Sequence, residues 1–166
     1  MELRQEAEDG IAAATYGDVF ITLWSLPATA KRWRWQRPIL FKLARERPNV
    51  VFLTLILSTS DPPDGALRAE MQGDFRELGS KLRRIIVVPL GSSMWMSVVR
   101  TIVRGLLILS GQARNQTIVA TVDEGLDVLR DVATADTPSR TEMRALVDKM
   151  ASSLGVDSPT TDAPRA

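Results

Sequence analysis

Apolar and polar positions alternate along this chain in blocks that fit an α/β domain, with short β-branched or aromatic runs separated by longer amphipathic stretches. Gly10 to Tyr16 reads as a small-residue strand, Gly17-Asp18 as a tight turn and Val19 to Trp24 as a second strand, so together they predict a hairpin. Val50 to Leu57, VVFLTLIL, is continuously apolar between Pro48-Asn49 and the turn residues that start at Ser58. Such a run suits a strand buried on both faces and is the predicted centre of the sheet. Ile85 to Val88 repeats the pattern more briefly, and Thr117 to Val122 is the remaining strand. The expectation is a single five-stranded mixed sheet.

The stretches between the strands have helical spacing. From Asp64 to Leu82, the residues Leu67, Met71, Phe75, Leu78 and Leu82 recur every three or four positions, with charged residues elsewhere. Asp123 to Ala133 opens on two carboxylates, as a helix N-terminus prefers, and packs through Leu126 and Leu129 with Val132 or Ala133. Ser139 to Leu154 carries Met143, Leu146, Val147, Met150 and Leu154 on one stripe. Ser92 to Gly111 is the most apolar stretch, yet Arg100 and Arg104 interrupt it, and its apolar runs fall well short of the roughly 20 residues that a membrane span requires. It is predicted to pack on the sheet through Trp95, Val98, Val99, Ile102, Val103, Leu106 and Leu109, with both arginines outward. These elements predict one α/β domain over 8–134, an added helix over 138–154 and a disordered Pro/Thr/Asp-rich tail over 155–166.

The segment KRWRWQRP, Lys31 to Pro38, does not fit a simple helical face. Trp33 and Trp35 are two apart, which separates them by roughly 200° on a helix. One unbroken helix from Ala28 to Arg47 turns Trp35, Ile39, Leu40 and Leu43 to the sheet, with Trp33 at the edge and Arg34, Arg37, Phe41, Lys42 and Arg45 outward. Pro38 argues against that, because an internal proline costs about 3 kcal/mol whereas one in the first turn costs nothing. The regular helix is therefore expected to begin near Arg37, leaving KRWRWQ as a loop, kinked turn or shoulder that presents a tryptophan outward. The alternative has both tryptophans covering the sheet among snorkelling arginines.

Composition sharpens this picture in two places. The net charge is +1 over 166 residues, but Lys31 to Arg47 holds seven basic residues and one acidic, a local +6 that leaves −5 for the rest. That balance argues against a dedicated nucleic-acid reader. The chain has neither histidine nor cysteine, which removes the commonest general base, the commonest metal ligand and thiolate chemistry together. No nucleophile elbow, phosphate-binding glycine loop or dinucleotide fingerprint is present. Asp61 and Asp64 follow the central strand, where α/β ligand sites usually lie, but an ordinary Asp-Pro-Pro turn and a helix N-cap explain them better. No catalytic residue, metal or cofactor is expected. The acidic start MELRQEAEDG is unlike an export signal, so a cytoplasmic location is the expectation.

The order hairpin, helix, long apolar strand, helix, short strand, apolar helix, strand, helix resembles the STAS-like fold family of sulfate transporters and anti-sigma-factor antagonists, in its small stand-alone bacterial, SpoIIAA-like form. VVRTIVRGLLILSGQARNQTIVATVDEGLDVL, Val98 to Leu129, is the most similar part, and the likeness covers residues 10 to 133. Phosphorylatable members of that family carry an Asp-Ser-Ser-Gly type of turn after the third strand. This chain has Ser58, Thr59, Ser60 and Asp61 at that place, a candidate regulatory loop without the glycine beside the serines. The resemblance implies a non-catalytic protein-interaction or regulatory domain, with an unidentified protein or a second copy of itself as partner. Arg32, Trp33, Arg34, Trp35, Arg37, Phe41 and Arg45 join the residue types enriched at binding hot spots and are the expected contact surface. The same aromatic and cationic groups suit an anionic membrane surface, the alternative target.

Overall fold

The two β-branched runs at Val19–Trp24 (β3) and Val50–Ile56 (β4) lie side by side and parallel in the middle of one mixed sheet. Ile11–Tyr16 (β2) pairs antiparallel with β3, Leu82–Pro89 (β5) parallel with β4, and Gln116–Ile118 (β6) parallel with β5. A further strand, Leu3–Glu8 (β1), pairs antiparallel with β2, so the sheet has six strands in sequential order rather than the five expected. The computed structural model describes residues 3–57, 62–91 and 93–159. The extra strand, LRQEAE, lacks an apolar alternation because it is an edge strand with Glu6 and Ala7 exposed, and charge on an edge discourages pairing with other chains.

Sequential order has a simple consequence. The helices Ala30–Glu46 (α1), Gly65–Leu78 (α2) and Ser93–Leu109 (α3) each connect a strand to its next parallel neighbour, so right-handed crossovers put all three on one face. Val122–Asp131 (α4) and Arg140–Ser153 (α5) cover the other. Strand side chains divide accordingly. Phe20, Phe52, Ile85 and Val87 meet the first three helices, while Ile21, Leu53, Leu55 and Ile86 meet the last two. The molecule is thus a three-layer α/β/α structure with two apolar cores. The Ser139 helix, expected as an addition, supplies the second core with Met143, Val147 and Met150, all fully buried.

Local capping sets most boundaries. Asp64 caps α2 by accepting from the Leu67 N–H at 2.8 Å, and Gly79, at φ +48°, ends that helix before a 3₁₀ turn, so Leu82 enters β5 rather than extending the helical stripe. Thr121 accepts from the Glu124 N–H at 3.1 Å and starts α4 one residue later. That cap overrides the β-branched pattern and cuts the strand expected over Thr117 to Val122 to three residues. Gly10 turns β1 into β2 at φ +75°, where an added Cβ would lie 2.5 Å from Leu26 Cβ. The expected disordered tail is corrected over residues 155–159, since Val156 packs on the second core and Arg144 donates to the Pro159 carbonyl at 2.7 Å. Residues 160–166 lie outside the described ones.

At the start of α5, Ser139 and Glu142 form a reciprocal capping box, and the Tyr16 hydroxyl donates to Glu142 at 2.5 Å. Hydrogen bonds from the Ser139 hydroxyl, the Tyr16 hydroxyl and the Ser139 N–H push the Glu142 carboxyl from 4.5 down to about 2. A depressed native value means that the unfolded chain takes up the proton first. Its stabilising contribution is therefore complete above about pH 4.5 and lost as the pH falls toward about 2. Urea denaturation is expected to find Glu142→Gln less stable than wild type at neutral pH, with the gap closing through that window. A gap independent of pH would remove the linkage.

Candidate functional site

The basic-aromatic segment is helical from Ala30, not from near Arg37, and Pro38 lies inside α1. Thr29 fixes the start, its hydroxyl accepting from the Arg32 N–H at 3.3 Å. The cost of Pro38 is local, whereas the turn preceding it is held by long-range contacts. Trp33, expected at an edge or outward, is 2% exposed, and its indole N–H donates to Asp74 Oδ2 at 2.7 Å. Arg37 donates to the other oxygen of Asp74 at 2.6 Å, reaches Glu77 at 3.4 Å and lies 4.3 Å over the Phe41 ring. Arg34 grips Glu70 through two nitrogens at 2.9 and 2.8 Å, a bidentate geometry.

These pairings account for the local charge. The Glu70 hydrogen bond raises the Arg34 pKa, and the same contact lowers that of Glu70. Arg32 donates to the Asp9 carbonyl and carboxylate and to the Pro27 carbonyl, and Lys31 meets Glu8 at 3.2 Å. Trp35 is half-buried beside Pro38 and Ile39, in a groove between α1 and the β1–β2 edge. Of the expected contact residues, only Arg45 is exposed with no ion pair among the described residues. The segment that read as a docking surface is largely a brace tying α1 to α2. Ser58, Thr59, Ser60 and Asp61, the expected regulatory loop, lie outside the described residues.

A different site lies on the same face of the sheet. Trp24 and Ile56 end β3 and β4, with Thr54 one inward step away, and between them, α2 and α3 is an apolar pocket of about 110 Å³. Trp33 and Phe75 wall one side, Val99, Val103 and Leu106 the other, and the exposed Leu26 and Pro62 stand at its rim. The carboxyl ends of parallel strands are where α/β sheets hold ligands. Among the described lining residues there is no charged side chain, and Thr54 carries the one hydroxyl. A relay fixes that hydroxyl: the Trp24 indole N–H donates to Thr22 at 3.1 Å, and Thr22 donates to Thr54 at 2.9 Å. Among the described residues the Thr54 proton then has no acceptor of its own, so it can meet one carried by a ligand.

No family model matches the chain, nor does any curated protein or solved structure. The site must therefore be read from its own chemistry. Among the described residues no three His, Cys, Asp or Glu side chains gather to hold a metal ion, and none of these types lines the pocket. An apolar chamber with a single hydroxyl offers burial and one hydrogen bond. Sequence reasoning missed the pocket because its residues, drawn from several elements, each read as ordinary core. The signal available was positional: aromatic and hydroxyl residues at consecutive carboxyl-terminal strand ends.

Proposed function

We propose that this chain is a non-catalytic, STAS-like regulatory module whose ligand is a small apolar molecule or the end of a single hydrocarbon chain. The observation that carries this reading is the apolar pocket at the carboxyl ends of β3 and β4. Its volume of about 110 Å³ is close to that of an engineered apolar cavity of about 150 Å³ that takes up benzene. The STAS-like part has support from the sequential β-α order of β3 to β6, the same order on which the sequence resemblance rests. The Lys31 to Arg45 surface has less support as a docking site, because most of its cations are already paired with carboxylates of α2, β1 and the turn after β1. Specificity in such a pocket comes from shape, with Thr54 favouring a ligand that carries one acceptor.

The test uses the indoles in the pocket wall. Trp24, Trp33 and Trp95 line it, so a dodecanoate brominated at its far end should quench tryptophan fluorescence saturably. Val103→Phe fills the chamber and is expected to weaken this binding about tenfold or more, as loss of a buried apolar chain end implies. The thermal midpoint should be unchanged or higher. Absence of saturable quenching, or quenching indifferent to Val103→Phe, would reject the pocket as a ligand site.

A further inference from the structure

The outer face of α3 carries the wrong residues for water. Met94, Val98, Thr101, Gly105 and Ile108 follow one another at intervals of four, three, four and three, a straight stripe along the helix. This stripe faces solvent: Met94 is 79% exposed, Ile108 54%, and Leu109 beside it 62%. A Cβ placed on Gly105 would meet nothing within 4 Å. Val98 and Leu109, expected on the buried side, are thus corrected to the exposed one, and Leu107 takes an inward place. The buried stripe is complete without them. Arg100 and Arg104 flank the exposed stripe and, among the described residues, have no acidic partner.

The segment around α3 is also free of carboxylates, although not all of its cations share the α3 face: Arg84 lies on the opposite side of the sheet, donating to Thr117. From Leu78 to Val122 the chain has six basic residues, Lys81, Arg83, Arg84, Arg100, Arg104 and Arg114, and no acidic one. None of the six makes an ion pair among the described residues, whereas the cations of α1 are mostly paired. An apolar stripe with cations beside it and no carboxylate is the pattern of a helix lying in a lipid interface, with side chains in the acyl boundary and arginines at the headgroups. α3 cannot cross a bilayer: no helix among the described residues is long and apolar enough.

We infer that the outer face of α3 docks on an anionic lipid surface. The inner face of the same helix, through Val99, Val103 and Leu106, walls the apolar pocket. Docking therefore sets one wall of the pocket, a helix's width away, beside a source of hydrocarbon ligand, a consequence that rests on the pocket reading, whereas docking itself does not.

The experiment is co-sedimentation of the full chain with vesicles of phosphatidylglycerol and phosphatidylcholine in equal parts, and with phosphatidylcholine alone. Binding to the anionic vesicles is expected, fading as added salt shortens the Debye length. Arg100→Gln with Arg104→Gln should weaken it roughly thirtyfold, the loss of two cations near the surface. Met94→Ser with Ile108→Ser should weaken it about tenfold or more. These positions are exposed, so the thermal midpoint should hold. Val103→Phe should keep vesicle binding while losing the brominated chain, which separates a failed pocket from a failed docking face. The proposal is overturned if neither vesicle binds, or if binding survives the α3 variants and is lost in Lys42→Gln with Arg45→Gln. It is equally overturned if sedimentation velocity finds a dimer that Met94→Ser with Ile108→Ser dissociates, since a second copy then covers this face.

Discussion

Trp33→Ala is expected to lower the free energy of unfolding by about 4 kcal/mol, the middle of the range for a large buried aromatic. The indole is 2% exposed and packs on Phe75 with ring centroids 5.7 Å apart. Phe75 in turn stacks on Phe52 at 5.9 Å, and Phe52 meets Phe20 at 5.2 Å, so one aromatic file runs from α1 through α2 into β4 and β3. Truncation also opens the pocket wall, enlarging the cavity that Trp33 lines. Against a total stability of roughly 10 kcal/mol for a domain of this size, such a loss should bring the denaturation midpoint down by about a third or more. Trp33→Phe keeps most of the ring packing and loses the N–H, and about 2 kcal/mol is expected for that charge-assisted hydrogen bond. A Trp33→Ala protein with an unchanged midpoint would contradict the buried placement.

Asp74→Ala is the other large effect, about 3 kcal/mol, and its size comes from what it leaves behind. The carboxylate is nearly buried and serves two donors, the Trp33 indole at 2.7 Å and the Arg37 guanidinium at 2.6 Å. Arg37 is 40% exposed and also reaches Glu77, so it can turn to water. The indole N–H cannot, and its stranding dominates. Arg37→Ala should consequently cost clearly less than Asp74→Ala. Because Asp74 and Trp33 share one contact, Asp74→Ala added to Trp33→Phe should cost less than the sum of the two singly, as urea titration of the cycle will read. Additive losses would mean that the hydrogen bond carries no coupling.

How much of this was legible follows from where each signal was held. Val19–Trp24 and Val50–Ile56 were plain, because burial on both faces leaves a short, nearly continuous β-branched and aromatic run bounded by turn residues. Asp64 was legible as a cap from its place ahead of an amphipathic stripe. β1 was not, since an edge strand needs little apolar pattern to pair. The first half of α1 misled because the rule for proline is local, and the compensation arrives from Glu70 and Asp74, some 36 and 37 residues away along the chain. Those carboxylates fall on one face of α2 with Glu77, and the cations Arg34 and Arg37 fall on one face of α1. Each stripe was visible alone. Only the parallel crossover topology sets them against each other. For α3, apolar residues exceed the width of any buried stripe, so periodicity could not decide which of them face inward.

The far face of the hairpin has a different history from the rest of the sheet. β3 to β6 are laid down in spatial order, each next to its predecessor, so on a ribosome that part of the molecule can be built as it emerges. The covering of β2 cannot. Tyr16 waits for Glu142, 126 residues later, and Asp18 for Thr134 and Thr137, 116 and 119 residues later. Until α5 leaves the exit tunnel, Ala12, Ala14 and Ile21 lack the side chains that cover them in the folded protein, and an apolar strand surface stays open while the more than 100 residues between are translated. α5 therefore acts as the latch on the first strands, and the vulnerable interval in this domain's folding is the one before α5 has been translated.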